Sequence, residues 1–164
     1  MNKRRRLVYC NALTLLCLVA LIGTVCQAQA KGKYACDEPN PASLCTAANT
    51  CGSPSAACSL DVTKALHGAN VKPSIPGASN NQLFCVKSGT TITWMSSRKN
   101  IGFMVSFGTD TPFSPDETIM GGGSKQVSLK AAKPGCYKYD VGAFISGIAY
   151  GMGSGSKPEM VVLP

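Results

Sequence analysis

The sequence contains very little histidine, and this scarcity excludes several classes of function. Its 164 residues include one histidine, His67, and one tryptophan. Neither a Gly-x-Ser-x-Gly nucleophile motif nor a Cys-x-x-Cys motif occurs. A Ser/His or Cys/His catalytic apparatus and thioredoxin-type redox chemistry therefore have no support. We expect the protein not to be an enzyme.

Acidic residues are also few, and basic residues do not cluster after the first residues of the chain. Eight Asp and Glu stand against 16 Lys and Arg. The absence of a dense basic run argues against a nucleic-acid partner. The separated acids favour solvated charges, with paired-carboxylate chemistry as the alternative; those weighed are Asp110, Asp116, Glu117, Asp140 and Glu159.

The first 30 residues have the pattern of a cleavable signal peptide. Residues 3–6 are Lys-Arg-Arg-Arg, residues 7–25 are almost continuously apolar, and residues 28–30 are Ala-Gln-Ala. This order fits a cationic region, an apolar region and a small-x-small cleavage site. A permanent membrane anchor is the alternative, because roughly 20 apolar residues span a bilayer. We expect a periplasmic or secreted protein with no stable membrane span after cleavage.

Removing residues 1–30 changes the charge and the cysteine content. The leader holds four of the basic residues and none of the acids, which lowers the net charge from +8 to +4. It also holds three of the nine cysteines, and the even number that remains predicts disulfides in an oxidising compartment. The remaining cysteines are Cys36, Cys45, Cys51, Cys58, Cys85 and Cys136.

These six cysteines permit about 15 pairings, and the sequence does not choose among them. Cys85 and Cys136 both fall in expected strands. In one arrangement they pair with each other, and the four upstream cysteines pair among themselves. We favour structural disulfides over the alternative that a cysteine is a free thiolate metal ligand.

Two segments follow the leader. Residues 31–80 are rich in Cys, Ala, Ser, Pro and Asn, which predicts a mostly irregular extension and linker with one short helix at 59–67. From residue 81 to residue 164, short runs of alternating apolar and polar residues are separated by Gly and Pro turns. This pattern predicts an all-β antiparallel sandwich domain at 81–164.

Three motifs in this second segment resemble those of cupredoxins of the plastocyanin and azurin type. Residues 86–94, Val-Lys-Ser-Gly-Thr-Thr-Ile-Thr-Trp, are similar to that family's V-x-x-G-D-x-V-x-W. Residues 134–139 resemble its P-G-x-Y-x-Y strand, and residues 151–153 resemble its closing G-M-x-G. The resemblance implies a cupredoxin-like Greek-key β-sandwich.

The resemblance also implies a copper site made of two His, one Cys and usually one Met. The first His position holds Phe103, the Cys position holds Val141, and the second His position falls within residues 144–147. Only Met152 matches a ligand. We therefore expect no cofactor and no intact type 1 copper site. The alternative is a divergent copper electron carrier, or a Cu(I)-handling protein that uses Met152 with a free cysteine.

The segment 142–156 interleaves glycines with large apolar residues and is a candidate surface for an unidentified protein partner. Packing onto the core is an equal alternative for this set, which is Phe144, Ile145, Ile148 and Tyr150. For His67, an exposed helix-end position is favoured over a metal ligand. Core packing is favoured over soft metal binding for the methionines Met95, Met104, Met120, Met152 and Met160.

Overall fold

The structure is a computed structural model that describes residues 34–116, 118–151 and 157–164. Within these ranges the chain forms strands and short 3₁₀ helices without an α-helix, so the predicted all-β class is confirmed. Residues 31–164 form one compact unit. No helix in the described part is long and apolar enough to cross a membrane.

Eleven strands in the described ranges form three sheets, with the orders β2-β1-β4-β7, β10-β9-β5-β6 and β3-β11-β8. The strands are β1 Cys58–Lys64, β2 Ala69–Pro73, β3 Phe84–Lys87, β4 Thr91–Met95, β5 Gly102–Ser106, β6 Thr118–Gly122, β7 Val127–Lys130, β8 Gly135–Lys138, β9 Asp140–Ile145, β10 Ile148–Tyr150 and β11 Glu159–Leu163. The 3₁₀ helices are Ala35–Asp37, Pro41–Leu44 and Ala47–Asn49.

Two of the three sheets are mixed, which corrects the prediction of a purely antiparallel sandwich. Strand β1 runs parallel to β4, and β11 runs parallel to β3. The other strand pairs are antiparallel. Alternation along one strand identifies its buried face but does not specify its neighbour's direction. The sequence pattern therefore could not distinguish these arrangements.

The helix predicted at residues 59–67 is wrong, because this segment contains most of β1. Cys58, Leu60 and Val62 are buried while the residues between them are not, which is the two-residue period of a strand. β1 pairs with both β2 and β4. The first sheet consequently begins at Cys58, before the domain boundary predicted at residue 81.

A cluster of aromatic rings occupies the core. The Trp94 ring meets Tyr139 edge-on at 5.6 Å and Phe107 at 6.2 Å between ring centroids. Phe107 also lies 5.3 Å from Phe113 and 6.5 Å from Tyr137. Edge-to-face pairs of this kind add about 0.5–1.5 kcal/mol each beyond the burial of apolar area. The cluster joins Trp94 of β4 and Tyr137 of β8 to three rings, Phe107, Phe113 and Tyr139, that lie in the connections between strands.

Residues 34–50, which we call the N-terminal arm, are bonded to the β3-β11-β8 sheet by two disulfides. Cys85 and Cys136 align with Val161 between them, so all three side chains share the sheet face turned away from the core. Cys36 bonds to Cys136 and Cys45 bonds to Cys85. The arm is thereby held across this outer face.

The Cys85–Cys136 pairing considered above is wrong for a geometric reason. The two residues lie on opposite sides of β11, so two interstrand spacings, about 10 Å, separate their Cα atoms. A disulfide requires a Cα–Cα distance of about 4.4–6.8 Å. The three observed bonds have Cα–Cα distances of 5.3, 5.8 and 5.3 Å, and the third joins Cys51 to Cys58.

A buried carboxylate also holds the arm. Glu159, only 8% exposed, accepts hydrogen bonds from the backbone N–H groups of Ala35 at 2.8 Å and Cys36 at 2.9 Å. Lys138 donates to Asp37 beside it, and this hydrogen bond lowers the pKa of the Asp37 carboxyl. The charged hydrogen bonds at Glu159 satisfy two backbone donors that the first 3₁₀ turn leaves open.

We expect Glu159→Gln to destabilise the fold by about 1–2 kcal/mol, because an amide offers one acceptor oxygen for two N–H groups. Urea unfolding of the oxidised protein measures this loss. Asp110→Asn is the control, since Asp110 pairs with Lys133 on an exposed surface and should contribute less than about 1 kcal/mol. Equal effects of the two substitutions would contradict the role assigned to Glu159.

We expect Thr90→Val to stabilise the fold by about 1 kcal/mol, because it replaces an unpaired buried hydroxyl with a methyl group of similar size. The Thr90 Oγ1 atom has no hydrogen-bond partner within the described residues. Thr93→Val is the matched control, since the Thr93 hydroxyl shares a 2.9 Å hydrogen bond with Ser128. Thermal unfolding should rank Thr90→Val above the wild type and Thr93→Val below it; the reverse order would refute the prediction.

Candidate functional site

Two positions that the cupredoxin resemblance would assign to copper ligands, Phe103 and Val141, lie on β5 and β9 and hold buried apolar side chains. Phe103 is 1% exposed and Val141 is 5% exposed. Phe103 is opposite Ala143, and Val105 is opposite Val141, so these residues share the inner face of their sheet. Apolar side chains therefore fill the inner face of the sheet at positions 103 and 141.

The Phe103 ring is seated against a glycine. A Cβ atom placed on Gly121 would lie 2.6 Å from the ring's Cζ atom, so a larger residue there would displace the ring. Val105 packs beside Phe103 along the same face of β5. Because close-packed interiors leave few voids, the ring and its neighbours leave little room for an ion at this position.

The predicted binding segment is a β-hairpin, formed by β9 and β10. Its two-residue turn is Ser146-Gly147, with φ of 50° and 80°, which is typical of a type I′ turn. Phe144 lies over Gly102, with its Cβ atom 3.5 Å from where a Gly102 Cβ would be. Ile148 is 57% exposed. Ile145 is half-buried.

Tyr150, the fourth residue of this set, faces a cation. The Lys64 ammonium lies 4.6 Å from the centre of the Tyr150 ring, within the range of a cation–π contact. Ile148 is therefore the most exposed member of the candidate set, while Phe144, Ile145 and Tyr150 each retain partial burial. Near the turn of the hairpin, Ile148 is thus exposed, while the other three side chains are partly covered by neighbouring residues.

Met152, the one matching metal-ligand position, lies outside the described residues. Gly151 before it has φ of 92°, and a Cβ there would lie 2.6 Å from the Ala69 amide nitrogen. The end of β10 thus packs tightly against the turn between β1 and β2. His67 occupies this turn and is exposed, as expected, although it belongs to a strand connection and not to a helix.

A cleft of about 380 Å³ lies beside that turn. Its lining includes polar side chains that bond to one another: Lys157 Nζ donates to Asp140 Oδ2 at 2.9 Å, and Asn81 Nδ2 donates to Asn70 Oδ1 at 3.2 Å. Tyr139 forms part of its wall, and burial raises the pKa of the Tyr139 phenol above its usual range. Gly151 and Lys157 also line the cleft.

One group of metal-ligand side chains, Cys36, Cys136 and Glu159, comes together in the described part of the chain. The two sulfurs are bonded to each other, and the carboxylate accepts two backbone hydrogen bonds. Each of the six cysteines after residue 34 is in a disulfide. A thiolate ligand, which is the deprotonated thiol, is therefore not provided by any of them.

Two methionines form an outward-facing pair that the sequence did not predict. Met104 on β5 is directly opposite Met120 on β6, and their neighbours Val105 and Ile119 point into the core. Met120 is 59% exposed, so the expectation of core packing is wrong for this residue. The alternation of residues along β6 indicates that Met120 points away from the core. Only the pairing of β5 with β6 places its thioether beside that of Met104.

No family model matches the chain, and no curated protein is significantly similar to it in sequence.

We expect Gly147→Ala to destabilise the fold by about 1 kcal/mol, because a non-glycine residue at a φ of 80° meets a backbone penalty. No atom lies within 4 Å of the added Cβ position, so the penalty is conformational and not steric. Ser146→Asn is the companion variant and should stabilise by a few tenths of a kcal/mol, since Asn-Gly favours this turn. Both are read from urea unfolding, and a neutral Gly147→Ala would contradict the type I′ assignment.

Proposed function

We propose that the protein is an exported, non-enzymatic binding or structural module with a cupredoxin-like sandwich and no intact type 1 copper site. The observation that carries this proposal is the burial of Phe103 and Val141 on one face of adjacent strands. A copper site needs imidazole and thiolate groups there. The apolar packing supports a domain that keeps the sandwich and dispenses with the metal, since a fold and its site are separable.

The placement of the first two motifs, and of the apolar run that follows the third, supports the cupredoxin-like assignment. Residues 86–94 supply the end of β3, a turn with Gly89 at φ of 87°, and most of β4. Residues 134–139 supply β8. The apolar run that follows the third motif forms β11, which lies between β3 and β8. Motifs that are distant in sequence thus meet in one sheet.

The cysteines support an extracytoplasmic location. Three disulfides within residues 36–136 indicate an oxidising environment. Combined with the signal-peptide pattern of residues 1–30, they favour the periplasm or the exterior of the cell. Residues 31–164 are therefore the form we expect to function.

A Cu(I)-handling protein is a second candidate, favoured by one observation. Met104 and Met120 are cross-strand neighbours on an exposed face, and thioethers are soft ligands that suit Cu(I). The candidate no longer includes a cysteine ligand from the described part, because those sulfurs are all in disulfides. Two thioethers alone form a sparse donor set.

We expect the oxidised protein of residues 31–164 to contain no stoichiometric copper and no intense thiolate-to-copper absorption, because the ligand positions are apolar. Elemental analysis and visible spectroscopy after loading with Cu(II) measure this. Loading with Ag(I), a redox-inert analogue of Cu(I), tests the second candidate, with Met104→Leu/Met120→Leu as the control. Stoichiometric copper with a strong visible band would overturn the proposal. Tight Ag(I) binding that the double variant abolishes would establish the second candidate instead.

A further inference from the structure

The outer face of the β10-β9-β5-β6 sheet carries an apolar surface, which we call the methionine face. It consists of Met104, Met120 and Phe144; Ile148 is paired with Ile145 and therefore lies on the opposite side of the hairpin. The first row across the sheet is Met120, Met104 and Gly142, and the second is Gly122, Gly102, Phe144 and Ala149. Neither row contains a charged residue. Met120 is one of the three large apolar side chains that are exposed in the described ranges.

Three exposed cations border one end of this face. Arg98 and Lys99 lie in the loop that leads into β5, and Lys125 lies in the turn that leaves β6. The two connections touch: the Gly123 N–H donates to the Ile101 carbonyl at 3.0 Å. The hairpin tip next to Ile148 projects from this same end, because Phe144 is opposite Gly102 at the start of β5.

These cations have no ion-pair partner within the part of the chain that the structure describes. One carboxylate approaches the loop from the opposite sheet, where Asp61 accepts a hydrogen bond from the Ser97 N–H at 2.7 Å. The ion pairs that do form use Lys133, Lys138 and Lys157. The charge at this end of the methionine face is therefore available to an external anion.

We infer that the methionine face and its bordering cations bind the surface of an anionic lipid bilayer. Apolar side chains beside Lys and Arg form the pattern by which proteins bind at the headgroup boundary, where the cations attract anionic lipid. The apolar groups project from a sheet face, and none of the clefts at Ala65–Asn70, Ser74 or Pro134 is lined by them. A projecting surface suits a bilayer better than it suits an inserted peptide. Flexible methionines also conform to irregular surfaces.

This inference names a partner for the proposed binding module and rests on that proposal only for the location outside the cytoplasm. Copper content measured on the same preparation tests the proposed function separately, because vesicle binding does not depend on it. Residues 31–164 are the form to use, since they make one compact unit that contains all three disulfides.

The experiment is co-sedimentation with phosphatidylglycerol vesicles and, in parallel, with phosphatidylcholine vesicles. We expect binding to the anionic vesicles only, weakened at about 0.5 M salt. Arg98→Gln/Lys99→Gln/Lys125→Gln should lower the partition coefficient about 100-fold, on the basis of about 1 kcal/mol for each cation near the surface. Met104→Gln/Met120→Gln should lower it as well, because both side chains lie on the methionine face.

Two control variants keep the inference falsifiable. Lys72→Gln/Lys87→Gln/Lys130→Gln removes the same charge from exposed positions on the other two sheets, and Leu66→Gln removes an exposed apolar side chain from the β1–β2 turn. Both should bind like the wild type. Equal losses in the test and control variants would overturn the inference, because attraction would then depend on net charge alone. Absence of vesicle binding, or binding to an acidic protein in its place, would also overturn it.

Discussion

Strand β11 is hydrogen-bonded between β3 and β8, and the cysteines on either side of it point away from the core. This register lets one face of a three-stranded sheet bury Met160 and Val162 while the other face receives two disulfides from the N-terminal arm. The arm has little apolar periodicity of its own. It is ordered by the two disulfides and by the Glu159 carboxylate. Glu159 lies two residues before Val161 in β11 and therefore on the same face of the strand.

Several elements were predictable from the sequence because their signals are local. The strands β4, β7 and β8 follow from short alternating runs, and β3 and β11 follow from short apolar runs near glycine and proline turns. The segment that forms β1 was mistaken for a helix, since Leu60, Val62 and Leu66 fit either period over so short a length. The cysteine pairing was not predictable, because it depends on which strand lies between Cys85 and Cys136.

The same distinction applies to the candidate sites. The sequence shows that Phe103 and Val141 stand where the cupredoxin resemblance implies copper ligands, and the structure adds that both pack inward on adjacent strands. The methionine face was not predictable, because Met104 and Met120 become neighbours only through the β5–β6 register. One sheet therefore presents a closed apolar interior and an open apolar exterior, and only the latter is accessible to a partner.

The account depends most directly on the cross-links that hold the arm to β3 and β8, since they fix the sheet and remove the thiols. Proteolytic mapping of the non-reduced protein by mass spectrometry identifies them. The account predicts the bonds Cys36–Cys136, Cys45–Cys85 and Cys51–Cys58, with no free thiol in residues 31–164. A Cys85–Cys136 bond, or a free thiol at either residue, would contradict both the described register and the exclusion of a thiolate copper ligand.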